Sequence, residues 1–388
     1  MNKSGKWLSP SEKLKLYLLD VLTNLSSLRE AEMALKGIRV IEFGGLAPVP
    51  FCGMILSDFG ANVIRVDRTK SFADTDCMGR GKQSIAIDLK QKEGLNIVHK
   101  MCSKADVLIE PFRPGVMERL GLERTTCKKA GHDINYISMS GLLSYLGKKG
   151  EPPLHPVNLL ADFAGGGLTC ALGIVMALYE RNISGKGQVV DNSMVEGSAY
   201  VGSWLSNSQK MPYIWGRERG DNTLDGGRAF YGVYETKDKK YISVGALEPQ
   251  FFKELIKGLG LEHINQTDDP EEMKKLFKEV FLTKSRDEWV YQFQNLDACV
   301  SPVLEPKEAA EHLHNVDNKT FLQDKSGGYE PGPAPRLSRT PGVDKVLPQP
   351  VIGQQTLMIM KEMGYSDSVI EKLLQSGVIE QNSKDSKL

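Results

Sequence analysis

His132 and Asp162 stand thirty positions apart, in Ala130-Gly-His-Asp-Ile-Asn-Tyr136 and Asn158-Leu-Leu-Ala-Asp-Phe-Ala-Gly-Gly-Gly167. A histidine and a carboxylate, each flanked by glycine and apolar residues, are the two bases needed to move a proton on and off carbon. The chain has six histidines, and none of the others has a comparable setting. Asp162 is expected just before an apolar helix over 164–179, where free amides and the helix dipole favour negative charge. Gly165, Gly166 and Gly167 would let a substrate approach the backbone closely. The plainer readings are a helix N-cap for Asp162 and a satisfied structural histidine for His132.

The elements that must hold these residues follow from periodicity. Arg39-Val-Ile-Glu-Phe43, Asn62-Val-Ile-Arg-Val66, Ser84-Ile-Ala-Ile-Asp88, Asp106-Val-Leu-Ile-Glu110 and Gln188-Val-Val-Asp191 read as strands. They alternate with helices at 51–59 and 92–103, which predicts an α/β fold with an open, parallel, Rossmann-like sheet covered on both faces. The apolar run from Gly165 to Leu178 is too short to span a bilayer, so it reads as a buried helix and no membrane span is expected. A hairpin over 230–245 and helices at 250–258, 270–283 and 285–294 form a small α+β domain. The organisation is then an extension at 1–32, a large domain at 33–200, a linker at 201–229, the small domain at 230–300 and a proline-rich linker at 301–349. Helices within 350–380 return to the large domain, and 381–388 is a polar tail.

Composition narrows the function. Lys+Arg and Asp+Glu are 49 each, a net charge of zero that argues against nucleic acid or a membrane surface as the main partner. Six scattered cysteines without a Cys-x-x-Cys read as free thiols in a reducing compartment. His312 and His314 lack acidic or cysteine partners at ligand spacing, so no metal is expected. Residues 1–32 carry leucines at helical spacing but too many acids for a transit or signal peptide. The final Ser386-Lys387-Leu388 matches the peroxisomal address read by an import receptor.

Several longer motifs carry a resemblance. Leu46-Ala-Pro48 with Phe51-Cys-Gly-Met54, Val63-Ile-Arg-Val-Asp-Arg68, the His132 and Asp162 segments, Leu224-Asp-Gly-Gly227 and Gly245-Ala-Leu-Glu-Pro-Gln-Phe251 occur in family order. In them the chain resembles the α-methylacyl-CoA racemases of the family III CoA-transferase superfamily. The resemblance implies an isomerase that interconverts (R)- and (S)-2-methylacyl-CoA thioesters of branched fatty acids and bile-acid intermediates, in the peroxisome and also the mitochondrion. His132 and Asp162 would serve opposite faces of an enolate, and Glu248 would pair with the histidine across the interface of an interlocked homodimer. No cofactor is implied, since coenzyme A is part of the substrate. Its binding would fall to Arg68, Ala86, Ile87, Asp88, Leu89, Arg113, Ala130, Gly131, Asp133, Ile134 and Asn135, with the Asp133 amide as enolate donor. The cations of Gly79-Arg-Gly-Lys82 stand at a strand end, where ligands bind open α/β sheets.

One departure stands out. Between Leu122 and Ala130 the chain has only Glu123-Arg-Thr-Thr-Cys-Lys-Lys129, where family members carry a further strand and a glycine-rich loop. The resemblance then implies a sheet short of one strand, with an exposed edge, and an inactive isoform becomes a competing reading. A smaller change is Val49, where the family has glycine between two prolines. A CoA-transferase using Asp162 as nucleophile and a dinucleotide-dependent oxidoreductase also compete. The oxidoreductase reading lacks the Gly-x-Gly-x-x-Gly spacing after its first strand.

Overall fold

The computed structural model describes residues 32–71, 76–111 and 131–382. Its main sheet has five strands in the order β10-β3-β2-β1-β4. They are β1 (Arg39–Phe43), β2 (Asn62–Asp67), β3 (Gln83–Ile87), β4 (Val107–Ile109) and β10 (Ile379–Glu380). The first four run parallel, and β10 pairs antiparallel with β3 through Ile379↔Ile87. The alternation of side chains along each strand sorts them onto two cores. Ile41, Phe43, Ile64 and Val66 pack with the helix Lys92–Cys102 and the C-terminal helices Thr356–Glu362 and Asp367–Gln375. Val40 and Val63 face the other way, onto the helices Pro48–Asp58 and Thr169–Ser184.

Charge inside this unit is paired. Lys82 and Glu42 are both 0% exposed in their side chains and lie 2.8 Å apart, and Lys82 also donates to the carbonyl of Pro50. Burial pushes the Glu42 carboxyl up to about 7, against the pull of Lys82. Arg80 is held by Asp58 and Glu330. The cations of Gly79-Arg-Gly-Lys82 are therefore consumed as structural partners, which corrects their expected availability to a ligand.

A second packed unit is built on β5 (Tyr231–Glu235), β6 (Tyr241–Gly245) and β7 (Val300–Val303), an antiparallel sheet. Helices Pro249–Leu259, Pro270–Phe281 and Arg286–Phe293 cover it. Tyr234, Phe277, Phe281 and Trp289 form its aromatic centre. The stretch expected as an extended linker over 301–349 carries the helices Pro306–Glu311 and Leu313–Asp317 and a hairpin of β8 (Phe321–Gln323) with β9 (Tyr329–Pro331).

Two expectations need correction. Gln188-Val-Val-Asp191 forms no strand: Val189 is 73% exposed, and no described strand pairs with the segment to turn its β-propensity into one. The apolar helix is longer and less buried than expected. A π-helical stretch, Leu159–Leu168, runs directly into the α-helix Thr169–Ser184. The continuous helix is long and apolar enough to cross a membrane by length and composition alone. Ala171, Ile174 and Leu178 bury one face in the sheet's core, while Leu172, Met176, Tyr179 and Ile183 are exposed.

The π-helical stretch is fastened by glycine. A Cβ on Gly165 would lie 2.4 Å from the amide nitrogen of Ser198, and one on Gly197 would lie 1.8 Å from the carbonyl oxygen of Gly165. Backbone thus meets backbone between this stretch and the helix Met194–Val201. Gly167 meets Phe51 and the Pro48 carbonyl in the same way. The expected role of these glycines was to admit substrate; all three are buried and admit neighbouring helices instead. Because backbone cannot yield as a side chain can, Gly197→Ala should lower stability by about 3 kcal/mol or more. Gly187→Ala, where nothing lies within 4 Å of an added Cβ, should be nearly neutral; urea midpoints measure both.

Candidate active site

Asp162 lies within the first turn of the π-helical stretch, not ahead of the helix as expected. The wide turns are stabilised from outside: Thr169 Oγ1 donates to the carbonyl of Gly165 at 2.5 Å, and Asn192 Nδ2 donates to that of Gly166 at 2.9 Å. Side chains inserted into a helical ladder in this way are a usual cause of its widening, and such segments recur at functional sites. Phe163, next to Asp162, packs edge-on against Phe51 at 5.2 Å.

The His132 segment enters from a different element. His132 is the N-cap of the short helix Asp133–Met139, and its amide donates to Asn135 Oδ1 at 3.0 Å. His132 is exposed, while Asp133 is 2% exposed. Asp133 Oδ2 accepts hydrogen bonds from the amides of Ala161 at 2.6 Å and Asp162 at 2.8 Å. The free amides expected to favour negative charge at Asp162 are thus occupied by the neighbour of His132. Sequence reasoning assigned Asp133 an amide role and missed its side chain.

The charge of one candidate base bears on the other. Burial pushes the half-buried Asp162 carboxyl above its ordinary range, and the Asp133 charge adds to that; Asn158 and His132 pull it down. Asn158 acts by donating to Asp162 Oδ2 at 3.2 Å. A carboxyl with raised proton affinity beside an imidazole can exchange proton roles with it.

Glu248 is not brought to His132 within the chain. It is the exposed N-cap of the helix Pro249–Leu259, and its charge bears on Cys299 instead. A cavity of about 920 Å³ begins at Leu247, beside it, lined also by Trp204, Arg217, Leu224, Arg228 and Phe230. It contains neither His132 nor Asp162.

The expected coenzyme A residues divide. Arg68 is exposed just past β2, and Asp88 and Leu89 are partly open past β3. Asp88 is turned onto its own loop, accepting from the Gln91 side chain and the Lys90 amide, which hold its carboxyl below the usual range. Ala86 and Ile87 are 0% exposed, on a strand paired on both sides, so β3 leaves them no surface for a ligand. Gly131 lies under the Tyr136 ring. Ile134 is 40% exposed, Asn135 is exposed with its carbonyl oxygen taken by the His132 amide, and the Asp133 carboxylate faces inward. At the first position of its helix, the Asp133 amide has no intrahelical acceptor. Arg113 and Ala130, the segment expected to lack a strand, the helix expected within residues 1–32 and Ser386-Lys387-Leu388 lie outside the described residues, save residue 32.

Because Asn158 donates to the ionised form of Asp162, Asn158→Ala should raise the Asp162 pKa further. Carboxyl carbon NMR titration of the variant against the parent chain measures it, and an unchanged or lowered midpoint would contradict the assigned contact.

Comparison with known proteins shows the family. The sequence profile described as CoA-transferase family III matches residues 35–130 and 125–356. The two matched stretches overlap at residues 125–130, within the segment expected to be short. The chain is similar to the alpha-methylacyl-CoA racemase of Homo sapiens, 48% identical over 90% of this chain and 98% of that protein. It is also similar to the succinyl-CoA:glutarate CoA-transferase of Mus musculus, 29% identical over 90% of this chain and 91% of that one. The fold is shared with a CAIB/BAIF family protein from Brucella suis, with a TM-score of 0.72 at 20% identity, over 86% of this chain and 100% of that one. On the profile match and the racemase identity together, the chain belongs to CoA-transferase family III.

Proposed function

We propose that the chain is an isomerase that interconverts the (R) and (S) forms of 2-methylacyl-CoA thioesters by a two-base proton transfer. The observation that carries this reading is the half-buried Asp162 carboxyl, pushed above its ordinary range by burial and by the Asp133 charge, with the His132 charge also bearing on it. One base takes the α-proton, its bonding electrons pass into the thioester as an enolate, and the other base delivers a proton to the opposite face. The unengaged amide of Asp133 is placed to donate to the enolate oxygen. Coenzyme A is part of the substrate, and the chemistry calls on no further cofactor. The racemase relatives support the substrate class, and the branched fatty acid and bile acid setting is part of the proposal.

The working unit is a homodimer with shared sites. Glu248 is exposed in the single chain, and the exposed row Leu172, Met176, Tyr179 and Ile183 offers an apolar face for a second copy. In the dimer Glu248 of one protomer orients the His132 imidazole of the other. Import to the peroxisome through Ser386-Lys387-Leu388 is part of the same proposal, with the mitochondrion as a second location.

Shared sites have a direct test. Asp162→Asn and Glu248→Gln subunits, each inactive alone, should recover roughly a quarter of parent activity on random mixing, because half of the subunits pair as heterodimers with one intact site. No recovery, with heterodimers demonstrated by tagging, would contradict a shared site. The family also contains transferases, whose counterpart of Asp162 would be acylated. Hydroxylamine should trap no acyl-enzyme here; a trapped acyl group on Asp162 would reverse the assignment.

A further inference from the structure

Asp133 follows His132 directly, yet its carboxylate is inside the protein. One oxygen accepts from two consecutive amides, those of Ala161 and Asp162, at 2.6 and 2.8 Å. The other, Oδ1, is buried and has no hydrogen-bond partner. Burying a charge with half of its capacity unused is unfavourable. A neutral carboxamide oxygen could accept from the same two amides without that cost, so capping alone does not account for a carboxylate here.

The geometry points to Asp133 as a positioning residue for proton transfer: its carboxylate ties the His132 segment to the backbone of Asp162 and fixes the gap between the two bases. The inference rests on reading His132 and Asp162 as those bases. The tie is short at both ends, being one peptide link from His132 and one hydrogen bond from the Asp162 amide. Small errors in such a gap are costly, since a misplacement of about 1 Å can cost on the order of 10²-fold in rate.

The charge has a second consequence. In either direction the two bases must hold one proton between them. The Asp133 charge raises the proton affinity of Asp162, which favours its taking the proton in turn. The charges bearing on Asp162 are Asp133 and His132. On the helices packed against it, Glu196 is exposed and Asp58 is paired with Arg80.

The test measures kcat, KM and their pH dependence for Asp133→Asn and Asp133→Ala in the full chain, with a 2-methylacyl-CoA substrate and circular dichroism as the folding control. Asp133→Asn keeps an acceptor for the amides and removes the charge. It should lower kcat roughly tenfold with KM within twofold, and shift the acidic limb of the profile to lower pH. Asp133→Ala removes the tie as well and should lower kcat on the order of 10²-fold. If both variants keep kcat within twofold, the tie is refuted. It is equally refuted if Asp133→Asn loses activity only in proportion to its folded fraction, with an unshifted limb. His132→Ala and Asp162→Ala separate the two levels. If either still racemises, the base assignment fails; if both are inactive while the Asp133 variants are normal, only the tie fails.

Discussion

The contact of Gly165 with Gly197 is the constraint on which the rest of the site depends. A single methyl group at Gly197 would overlap the carbonyl oxygen of Gly165, at 1.8 Å. Only glycine at both positions lets the π-helical stretch lie against the helix Met194–Val201. Once it lies there, Thr169 and Asn192 reach its carbonyls, and Phe163 packs edge-on against Phe51. Asp162 is then carried on a rigid element whose far side belongs to the core of the sheet.

From that anchor the site is assembled by polar ties. The Asp133 carboxylate joins the helix Asp133–Met139 to the start of the long helix, leaving His132 at the exposed edge of the tie. Asn158 and His132 favour the ionised form of Asp162, while burial and Asp133 oppose it. The outcome is a carboxyl held above its ordinary range, a direction that suits the proposed proton transfer at carbon. Glu248 is supported by a separate core, at the head of a helix over the antiparallel sheet.

Much of this was legible in the sequence. Strands β1 to β3 alternate apolar residues between two faces and alternate in sequence with helices, so the parallel sheet follows from pattern alone. His132 and Asp162 stand out because their settings are dense in glycine and apolar residues. Long-range pairing was not legible. Arg80 and Lys82 look like free cations at a strand end until Asp58 and Glu42 close on them. Ala86 and Ile87 look available until β10 returns from the C-terminus to cover β3. The glycines were correctly read as points of close approach, but sequence does not say whose backbone approaches. Val189 and Val190 have strand propensity but pair with no strand among the described residues, a fact that only the assembled sheet supplies. The inward turn of Asp133 was hidden because its two partners lie 28 and 29 residues away.

The central claim is that His132 and Asp162 move a proton on and off the α-carbon of a thioester in this chain, despite its short segment before Ala130. The direct measurement is incubation of the parent protein with one enantiomer of a 2-methylacyl-CoA in deuterated water. The account predicts that both enantiomers appear and that deuterium accumulates at the α-carbon. A folded protein that binds the thioester and leaves its α-proton unexchanged would contradict it.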